Sequence, residues 1–235
     1  MIGPVVVFDI GGTLIHPDFS ALREWAITKS VTDVSTATVE RAFRLAIAGD
    51  VFAEPVRAIQ TQAIRFFSAC ASPPSMKPLW NDWWSEIVDS GGVGSWLYRV
   101  LDPDAFATLL RLKELGCRLI AASNSDGTLQ AELRSHGLLE FFDEVFDSHD
   151  IGFEKPDHRF FDQVLASSRS SHSVHIGDDL IKDCIAAGCA GFQRVLLYDQ
   201  INLFPGLPDH IKIKHLHEVV GLLGESFPFT AFDGS

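Results

Sequence analysis

The sequence has few cysteines, and they are not arranged as the ligands of a metal site. Its 235 residues include four, which are Cys70, Cys117, Cys184 and Cys189. They do not form the closely spaced pairs that zinc-binding modules use, and the last two fall in one helical stretch. Reduced thiols in a cytosolic protein explain this pattern most simply. We therefore expect a cytoplasmic location.

Basic residues are also scarce relative to acidic ones. Lys and Arg total 19 against 31 Asp and Glu, which gives a formal net charge of −12. A nucleic-acid partner is not expected, because binding to a phosphate backbone requires a basic surface. The same charge cannot attract a phosphorylated substrate from a distance. A phosphate site therefore has to be built locally, from a metal ion, a lysine and backbone N–H groups.

Long apolar runs are missing as well. No run approaches the roughly 20 residues that a membrane-spanning helix requires, and the N-terminus enters a predicted strand without the basic region of a secretory signal. A membrane partner is therefore not expected. Hydrophobic residues still make up 46% of the chain, which is enough for a substantial core. The length suits one large domain or a core that carries a smaller insert.

One short segment, residues 5–14, joins an apolar strand to polar residues. Val5–Phe8 predict a buried parallel strand, because β-branched and aromatic residues occur there without alternation. Asp9 follows at the carboxyl end, where open α/β sheets bind their ligands. Gly11 and Gly12 permit a tight turn whose N–H groups can face an anion. The alternative interpretation is an incidental Asp before a glycine turn.

Three further segments place polar residues in similar contexts, in order along the chain. Residues 119–124, Leu-Ile-Ala-Ala-Ser-Asn, are an apolar strand that ends in a hydroxyl and an amide. Residues 152–157, Gly-Phe-Glu-Lys-Pro-Asp, place a lysine just before a Pro-Asp helix start. Residues 174–179, Val-His-Ile-Gly-Asp-Asp, are another apolar strand that ends in carboxylates, and Asp183 follows shortly after.

In this order the four segments resemble the signature motifs of the haloacid dehalogenase superfamily, most of whose members are phosphatases. The resemblance extends from Val5 to about Gly191. It implies an α/β fold with a Rossmann-like three-layer core, in which helices cover both faces of a parallel sheet. The alternation of predicted helices and strands from Asp102 onward favours the same architecture.

The stretch after the first strand has a different pattern. Between Phe19 and about Ser90, apolar residues recur at helical spacing. We predict three or four helices inserted between the first two core strands, in the position of the helical cap of one large subgroup of the superfamily. The predicted domains are therefore an α/β core of residues 1–15 and 100–235 and an α-helical cap of residues 16–99.

The resemblance also implies a role for each polar residue. Asp9 would act as the nucleophile and form an aspartyl-phosphate, and positioned donors with a metal ion would neutralise the charge of the phosphoryl group. The expected catalytic residues are Asp9, Thr13, Ser123 and Lys155, with Gly12 and Asn124 binding the phosphate. His16 is added to the catalytic residues from its place in the sequence, as the nearest titratable candidate for proton transfer. The expected Mg²⁺ ligands are Asp9, Gly11 through its carbonyl oxygen, Asp178, Asp179 and Asp183.

Several of these residues have a structural explanation when each is taken alone. Lys155 could be a solvated surface lysine, and Ser123 could be a helix N-cap. Asp179 and Asp183 could lie in the first turn of a helix, because the helix dipole favours acidic residues there. Which of these two carboxylates supports the metal stays open at this point.

Position 11 departs from the pattern of the superfamily. Most of its phosphatases have a second Asp two residues after the nucleophile, and that residue protonates the leaving group and later activates water. Gly11 has no side chain, and the loss of general acid–base help typically costs ~10²–10⁴-fold in rate. Either another group supplies the proton, with His16 the nearest titratable candidate, or the substrate has a good leaving group.

Two further interpretations of Gly11 stay open. The first is a different reaction on the same scaffold: phosphonate hydrolases of the family have a small residue here but use a cap lysine, and haloacid dehalogenases need no metal. The second is a non-catalytic or weakly active protein that binds a phosphorylated ligand or a protein partner. We favour a Mg²⁺-dependent phosphatase of a small phosphorylated molecule. No pattern in the sequence predicts its substrate or its oligomeric state.

Overall fold

The computed structural model describes residues 3–28, 34–47, 97–168 and 172–223. The later helices of the predicted cap, up to about Ser90, lie outside these ranges. The chain divides into two compact units, of which the first comprises Met1–Ile15 with Leu101–Ser235 and the second comprises His16–Val100. The interpretation of the second unit as a helical cap remains a prediction.

A six-stranded parallel sheet forms the centre of the first unit. The strands of the described chain are β1 (Val5–Phe8), β2 (Ile15–Pro17), β3 (Tyr98–Leu101), β4 (Arg118–Ser123), β5 (Glu144–Asp147), β6 (Ser173–Gly177), β7 (Arg194–Tyr198) and β8 (Lys212–Ile213). The order across the sheet is β5-β4-β1-β6-β7-β8, and each neighbouring pair is parallel. Strands β2 and β3 pair separately.

Helices alternate with the strands of this sheet. The α-helices of the described chain are α1 (Phe19–Thr28), α2 (Thr36–Ile47), α3 (Ala105–Glu114), α4 (Leu129–Ser135), α5 (Ser148–Ile151), α6 (His158–Ser168), α7 (Ala186–Ala190) and α8 (Glu218–Leu222). A π-helical turn, Leu180–Ile185, precedes α7, and short 3₁₀ turns lie at Leu139–Phe141 and Asp209–Ile211. The predicted α/β fold class with a parallel sheet is confirmed.

Strand β1 lies at the centre of the sheet, and its sequence explains why. Its residues Val5–Phe8 are all fully buried, because β4 and β6 flank the strand on both sides and further layers cover its faces. Val7 is in register with Ile120 of β4 and His175 of β6. The carboxyl ends of these three strands therefore meet at one edge of the sheet.

One stretch after β6 differs from the sequence prediction. The pattern predicts a single helix over residues 180–187 that Gly188 closes. Instead the π-helical turn leads into α7, which runs through Gly188 and ends at Ala190, with Gly191 as its C-cap. Gly191 has φ 104°, a left-handed conformation that favours glycine and ends a helix. The short strand β8 was also not predicted, because two residues carry too little pattern.

The described part of the second unit contains α1 and α2. Leu22 and Ala26 give α1 a buried face, and the Phe43 ring of α2 makes edge contacts with Phe19 and Tyr98, at centroid distances of 5.9 and 6.5 Å. These contacts agree with the helical spacing of apolar residues in the sequence. No helix in the described ranges has the length and apolar composition needed to cross a bilayer.

Candidate active site

The carboxyl ends of β1, β4 and β6 bring the sequence-predicted polar residues together. Asp9 follows β1, Ser123 ends β4, and Asp178 follows β6. The N–H of Asp9 donates to the carbonyl oxygen of Ile176 at 2.8 Å, so the parallel pairing continues up to the proposed nucleophile. This edge of the sheet is where open α/β folds place their ligands.

The Asp9 carboxylate is buried and accepts hydrogen bonds on both oxygens. Its Oδ1 accepts from Lys155 Nζ at 2.6 Å and from Ser123 Oγ at 3.1 Å. Its Oδ2 accepts from Thr13 Oγ1 at 3.3 Å. Burial raises the pKa of Asp9, and the Lys155 ammonium opposes that rise only in part. These contacts fix the carboxylate in one orientation.

Lys155 bridges two buried carboxylates. Its Nζ lies 2.6 Å from Oδ1 of Asp9 and 2.6 Å from Oδ1 of Asp183, and the residue is only 4% exposed. Burial by itself would lower the pKa of Lys155, but the charges of Asp183 and Asp9 outweigh burial and raise it above its ordinary value. Lys155 is therefore a fixed positive charge rather than a solvated surface lysine.

Asn124 holds the main chain of Lys155 in place. Its Nδ2 donates to the carbonyl oxygen of Lys155 at 2.9 Å, and its Oδ1 accepts from the N–H of Lys155 at 2.7 Å. The side chain therefore positions the lysine. Nδ2 has a second hydrogen, and the expected binding of phosphate by Asn124 stays a prediction.

Asp183 lies at the base of the site, between Lys155 and His175. Its Oδ1 also contacts Nε2 of His175 at 3.1 Å, and its Oδ2 accepts from the N–H of Asp179 at 3.1 Å. Burial would raise the pKa of Asp183, but Lys155 and His175 outweigh burial and hold it well below its usual range. A Cβ on Gly177 would lie 2.2 Å from Cγ of Asp183, so that position leaves room only for glycine.

Gly12 makes a similar close approach possible for Asp178. It has φ +89°, and a Cβ there would lie 2.1 Å from Oδ2 of Asp178. Its N–H donates to the carbonyl oxygen of Ile15 at 2.8 Å. This N–H is engaged within the turn, and the absence of a side chain leaves space for the Asp178 carboxylate. The expected phosphate-binding role of Gly12 stays a prediction.

Three carboxylates converge beside Lys155. Asp9, Asp178 and Asp183 each have an oxygen within 4.8 Å of the others, and we call these three residues the acidic cluster. Carboxylates this close to one another repel, and a divalent cation bound among them would reduce that repulsion. An all-oxygen donor set of few carboxylates is typical of Mg²⁺ sites. The residues present fit this ion.

Asp179 makes different contacts from its neighbour. Its Oδ1 accepts from the N–H groups of Ile181 and Lys182, both at 2.9 Å. The side chain is therefore the N-cap of the π-helical turn. The sequence left open whether Asp179 or Asp183 would support a metal, and the geometry favours Asp183.

Two sequence-predicted residues remain, Gly11 and His16, and both follow Asp9 closely in the sequence. Gly11 forms an isolated bridge with Ile15 and is not one of the glycines that the described chain holds at positive φ. His16 lies in β2 and is buried, and it belongs to the second unit. The metal-ligand role of Gly11 and the proton-transfer role of His16 stay predictions.

Sequence reasoning missed two titratable residues. His175 contacts Asp183, and its ring packs against those of Phe161 and Phe192 at centroid distances of 5.2 and 5.5 Å. A histidine within an otherwise apolar strand was the available signal. Glu132 of α4 is half-buried. Burial and then the charge of Asp9 raise its pKa to about 7, and no local pattern indicates this.

Comparison with known proteins gives the family. The sequence model described as haloacid dehalogenase-like hydrolase matches residues 4–191, which is most of the chain and includes every residue of the site. The chain belongs to this family. The haloacid dehalogenase-like assignment agrees with the order of the four motifs and with the parallel sheet.

Curated relatives of this hydrolase include two proteins named as phosphatases. A ribulose-1,5-bisphosphate 5-phosphatase from Halopiger xanaduensis is 32% identical over 138 residues, 57% of this chain and 54% of the relative. A glyceraldehyde 3-phosphate phosphatase from Methanothermobacter thermautotrophicus is 35% identical over 103 residues, 43% of this chain and 46% of the relative. The chain thus spans about half the length of the curated relatives it matches.

A solved structure shares the fold over nearly the whole hydrolase. The HAD-hydrolase YfnB from Bacillus subtilis superposes with a TM-score of 0.65, covering 96% of this chain and 100% of its own, at 20% identity. At that identity the likeness establishes the fold. The chemistry has to be argued from the site itself.

Proposed function

We propose that this hydrolase is a Mg²⁺-dependent phosphatase that acts on a small phosphorylated metabolite through an aspartyl-phosphate on Asp9. One observation carries the proposal. The Asp9 carboxylate is fixed at the edge of the sheet by Thr13, Ser123 and Lys155, and it belongs to an acidic cluster that suits Mg²⁺.

The names of the relatives support the substrate class. Both named phosphatases act on phosphorylated sugars of a few carbons. A compact phosphorylated sugar is therefore the first class of substrate to test. The match covers only about half of each relative, so the particular sugar does not transfer to this chain with the family.

The reaction would proceed in two displacements at phosphorus. A carboxylate oxygen of Asp9 attacks the phosphorus, the bond to the ester oxygen breaks, and that oxygen leaves as an alcohol after it gains a proton. Water then attacks the phosphorus of the aspartyl-phosphate, which releases inorganic phosphate and restores the carboxylate. Asp9 is thus regenerated in each turnover.

The other residues would supply charge and orientation. Lys155 holds a fixed positive charge 2.6 Å from the attacking carboxylate, and Asn124 restrains its main chain. Ser123 and Thr13 orient the two oxygens of Asp9. Pre-positioned donors of this kind are the main source of rate in phosphoryl transfer.

The metal would be held by the acidic cluster, with the Gly11 carbonyl oxygen as a further ligand. Mg²⁺ bound there would neutralise charge on the transferring phosphoryl group. Asp183 is preferred to Asp179 as the supporting ligand, since the latter side chain caps the π-helical turn.

The leaving group has to gain a proton, and Gly11 has no side chain that could supply it. We propose that His16 or a good leaving group compensates for Gly11. Apart from Asp9 itself, His16 is the titratable residue closest in sequence to the turn. An acyl or aryl phosphate would need little protonation of its leaving oxygen.

The test is phosphate release by the full chain from a panel of phosphorylated sugars and aryl phosphates. We expect release with Mg²⁺, none with EDTA, and none from Asp9→Asn. Asp209→Asn is the matched control, since Asp209 is fully exposed in a short 3₁₀ turn, and it should retain the wild-type rate.

The alternatives predict other outcomes of the same panel. Metal-independent halide release from haloacids would place the chain with the dehalogenases, and cleavage of a carbon–phosphorus bond would indicate a phosphonate hydrolase. Absence of all turnover, with a phosphorylated ligand still bound, would favour a non-catalytic binding protein. Activity that survives in Asp9→Asn would overturn the proposed mechanism.

A further inference from the structure

Three metal-ligating side chains converge outside the acidic cluster. Asp104, His215 and His217 each offer a ligand atom, and these atoms lie within 4.8 Å of one another. Oδ2 of Asp104 is 2.8 Å from Nδ1 of His217. The two imidazole rings stack with centroids 5.3 Å apart and an interplanar angle of 14°. We call these three residues the histidine cluster.

The backbone around the two histidines is restrained. Leu216 lies between them and is fully buried, so the residues on either side of it project toward solvent. Oε1 of Glu218 accepts from the N–H groups of Lys214 and His215, at 2.9 and 2.7 Å. The two rings are therefore presented from a fixed turn between β8 and α8.

The third member of the cluster is restrained in the same way. Asp104 precedes α3, and its N–H donates to Oδ1 of Asp102 at 2.9 Å. Its carbonyl oxygen accepts from the N–H of Thr108 at 2.9 Å, in the first turn of that helix. Little backbone rearrangement is needed for the three side chains to share one ion.

The donor set differs in kind from that of the acidic cluster. Two imidazoles and one carboxylate suit Zn²⁺ and similar transition ions, whereas Mg²⁺ prefers oxygen ligands and retains water. Ligand bonds of about 2.0–2.2 Å in a tetrahedral site separate ligand atoms by about 3.3 Å. The spacing in the histidine cluster accommodates such an ion after small side-chain shifts.

We propose that Asp104, His215 and His217 form a second cation site, selective for a Zn²⁺-like ion, with open positions for water. Bound there, the ion would link the start of α3 to the turn before α8. The proposal is independent of the proposed function, since the acidic cluster consists of other residues. The competing possibility is an ion pair between His217 and Asp104 that binds no metal.

The test is titration of the chelator-treated full chain with Zn²⁺ by calorimetry, with Mg²⁺ in large excess to occupy the acidic cluster. One equivalent of Zn²⁺ should bind to the wild type. His215→Ala and His217→Ala should each weaken binding by about tenfold or more, because loss of even an outer-shell partner has an effect of that size. Asp104→Asn should weaken it too.

The matched control is His210→Ala, which removes a nearby exposed histidine outside the cluster and should leave the affinity unchanged. Unchanged Zn²⁺ affinity in both His215→Ala and His217→Ala would overturn the proposal. So would loss of the bound equivalent in Asp9→Asn with the histidines intact, because the ion would then lie in the acidic cluster. Substitution of Co²⁺ should give visible absorption that both histidine variants lose.

Discussion

The position that a Cβ would occupy on Gly12 lies 2.1 Å from Oδ2 of Asp178. The Asp178 carboxylate after β6 therefore lies against the turn after β1, in space that is open only because residue 12 has no side chain. A side chain at position 12 would displace the Asp178 carboxylate from its observed position.

Gly12→Ala should accordingly damage the site as well as the fold. Its positive φ should cost about 1–2 kcal/mol of stability, and the displaced Asp178 should weaken Mg²⁺ binding in addition.

Gly152→Ala is the matched control, because Gly152 has φ +78° and nothing within 4 Å of its Cβ position. Urea unfolding should show a similar loss in both variants. The stabilisation by Mg²⁺ in a thermal-shift assay should fall only in Gly12→Ala, and equal Mg²⁺ responses would contradict the steric argument.

Lys155→Met should destabilise the protein strongly. It leaves Asp9 and Asp183 buried without their ammonium partner, and breaking a buried ion pair from one side costs about 3–5 kcal/mol. Lys113→Met is the control, since its ion pair with Asp143 is about one-third exposed on both sides and should contribute ~1 kcal/mol or less. Unfolding in urea measures both. A similar small loss of stability in the two variants would contradict this expectation, because it would show that the buried charges of Asp9 and Asp183 do not need Lys155.

Gly11→Asp should shorten the life of the phospho-enzyme. Without an acid–base side chain at position 11, the wild type should accumulate phosphate on Asp9 when it is given acetyl phosphate, visible by intact mass. The new carboxyl should speed the hydrolysis step, up to ~10²–10⁴-fold, and the φ of residue 11 does not oppose a side chain.

If the wild type turns over rapidly with no phospho-enzyme burst, another residue supplies the proton, and His16→Ala should then be slow. If no phospho-enzyme forms with any donor, Asp9 is not the nucleophile.

Glu132 should make stability depend on pH below neutrality. Burial and the charges of Asp9, Asp126 and Asp147 raise its pKa from 4.5 to about 7, so the folded state holds a proton that the unfolded state releases earlier. The stabilisation that comes from the raised pKa of Glu132 is complete below pH 4.5 and is lost as the pH rises to about 7. Over that range the free energy of unfolding falls by at most about 1.4 kcal/mol per pH unit. Partial exposure of the side chain reduces the slope.

The measurement is urea unfolding of the wild type and Glu132→Gln between pH 5 and about pH 8. The wild type should lose stability relative to the variant across this range and level off near its upper end. Glu140→Gln removes an exposed carboxyl in the neighbouring 3₁₀ turn and should follow the wild type. Parallel profiles for wild type and Glu132→Gln would show that Glu132 ionises normally.

The parts of the fold that could be predicted were those with strong local patterns. The apolar run of Val5–Phe8 identified a strand with two buried faces, and β1 indeed lies between β4 and β6. The resemblance of the four motifs to those of the family implied that Asp9, Ser123 and Lys155 would meet. For Asp9 and Ser123 strand geometry gives the same expectation, because the carboxyl ends of parallel strands share one edge. Those three side chains are in hydrogen-bond contact in the structure.

The individual partners of the polar atoms could not be predicted in the same way. The amide of Asn124 bonds to the main chain of Lys155, which is distant in sequence. Asp179 and Asp183 have the same side chain, and their contacts differ because the π-helical turn directs one to its own N–H groups and the other to Lys155. Such choices depend on tertiary geometry, which residue type and spacing do not specify.

The bridge that Lys155 makes between Asp9 and Asp183 also bears on the stability of the acidic cluster when no metal ion is bound there. Asp9 and Asp183 keep a counter-ion, the Lys155 ammonium, that is part of the chain and cannot be removed by chelation. Mutual repulsion among these groups is thus limited before any cation arrives. If Mg²⁺ binds to the acidic cluster as proposed, we expect that it can be removed with a chelator and added back without unfolding of the chain.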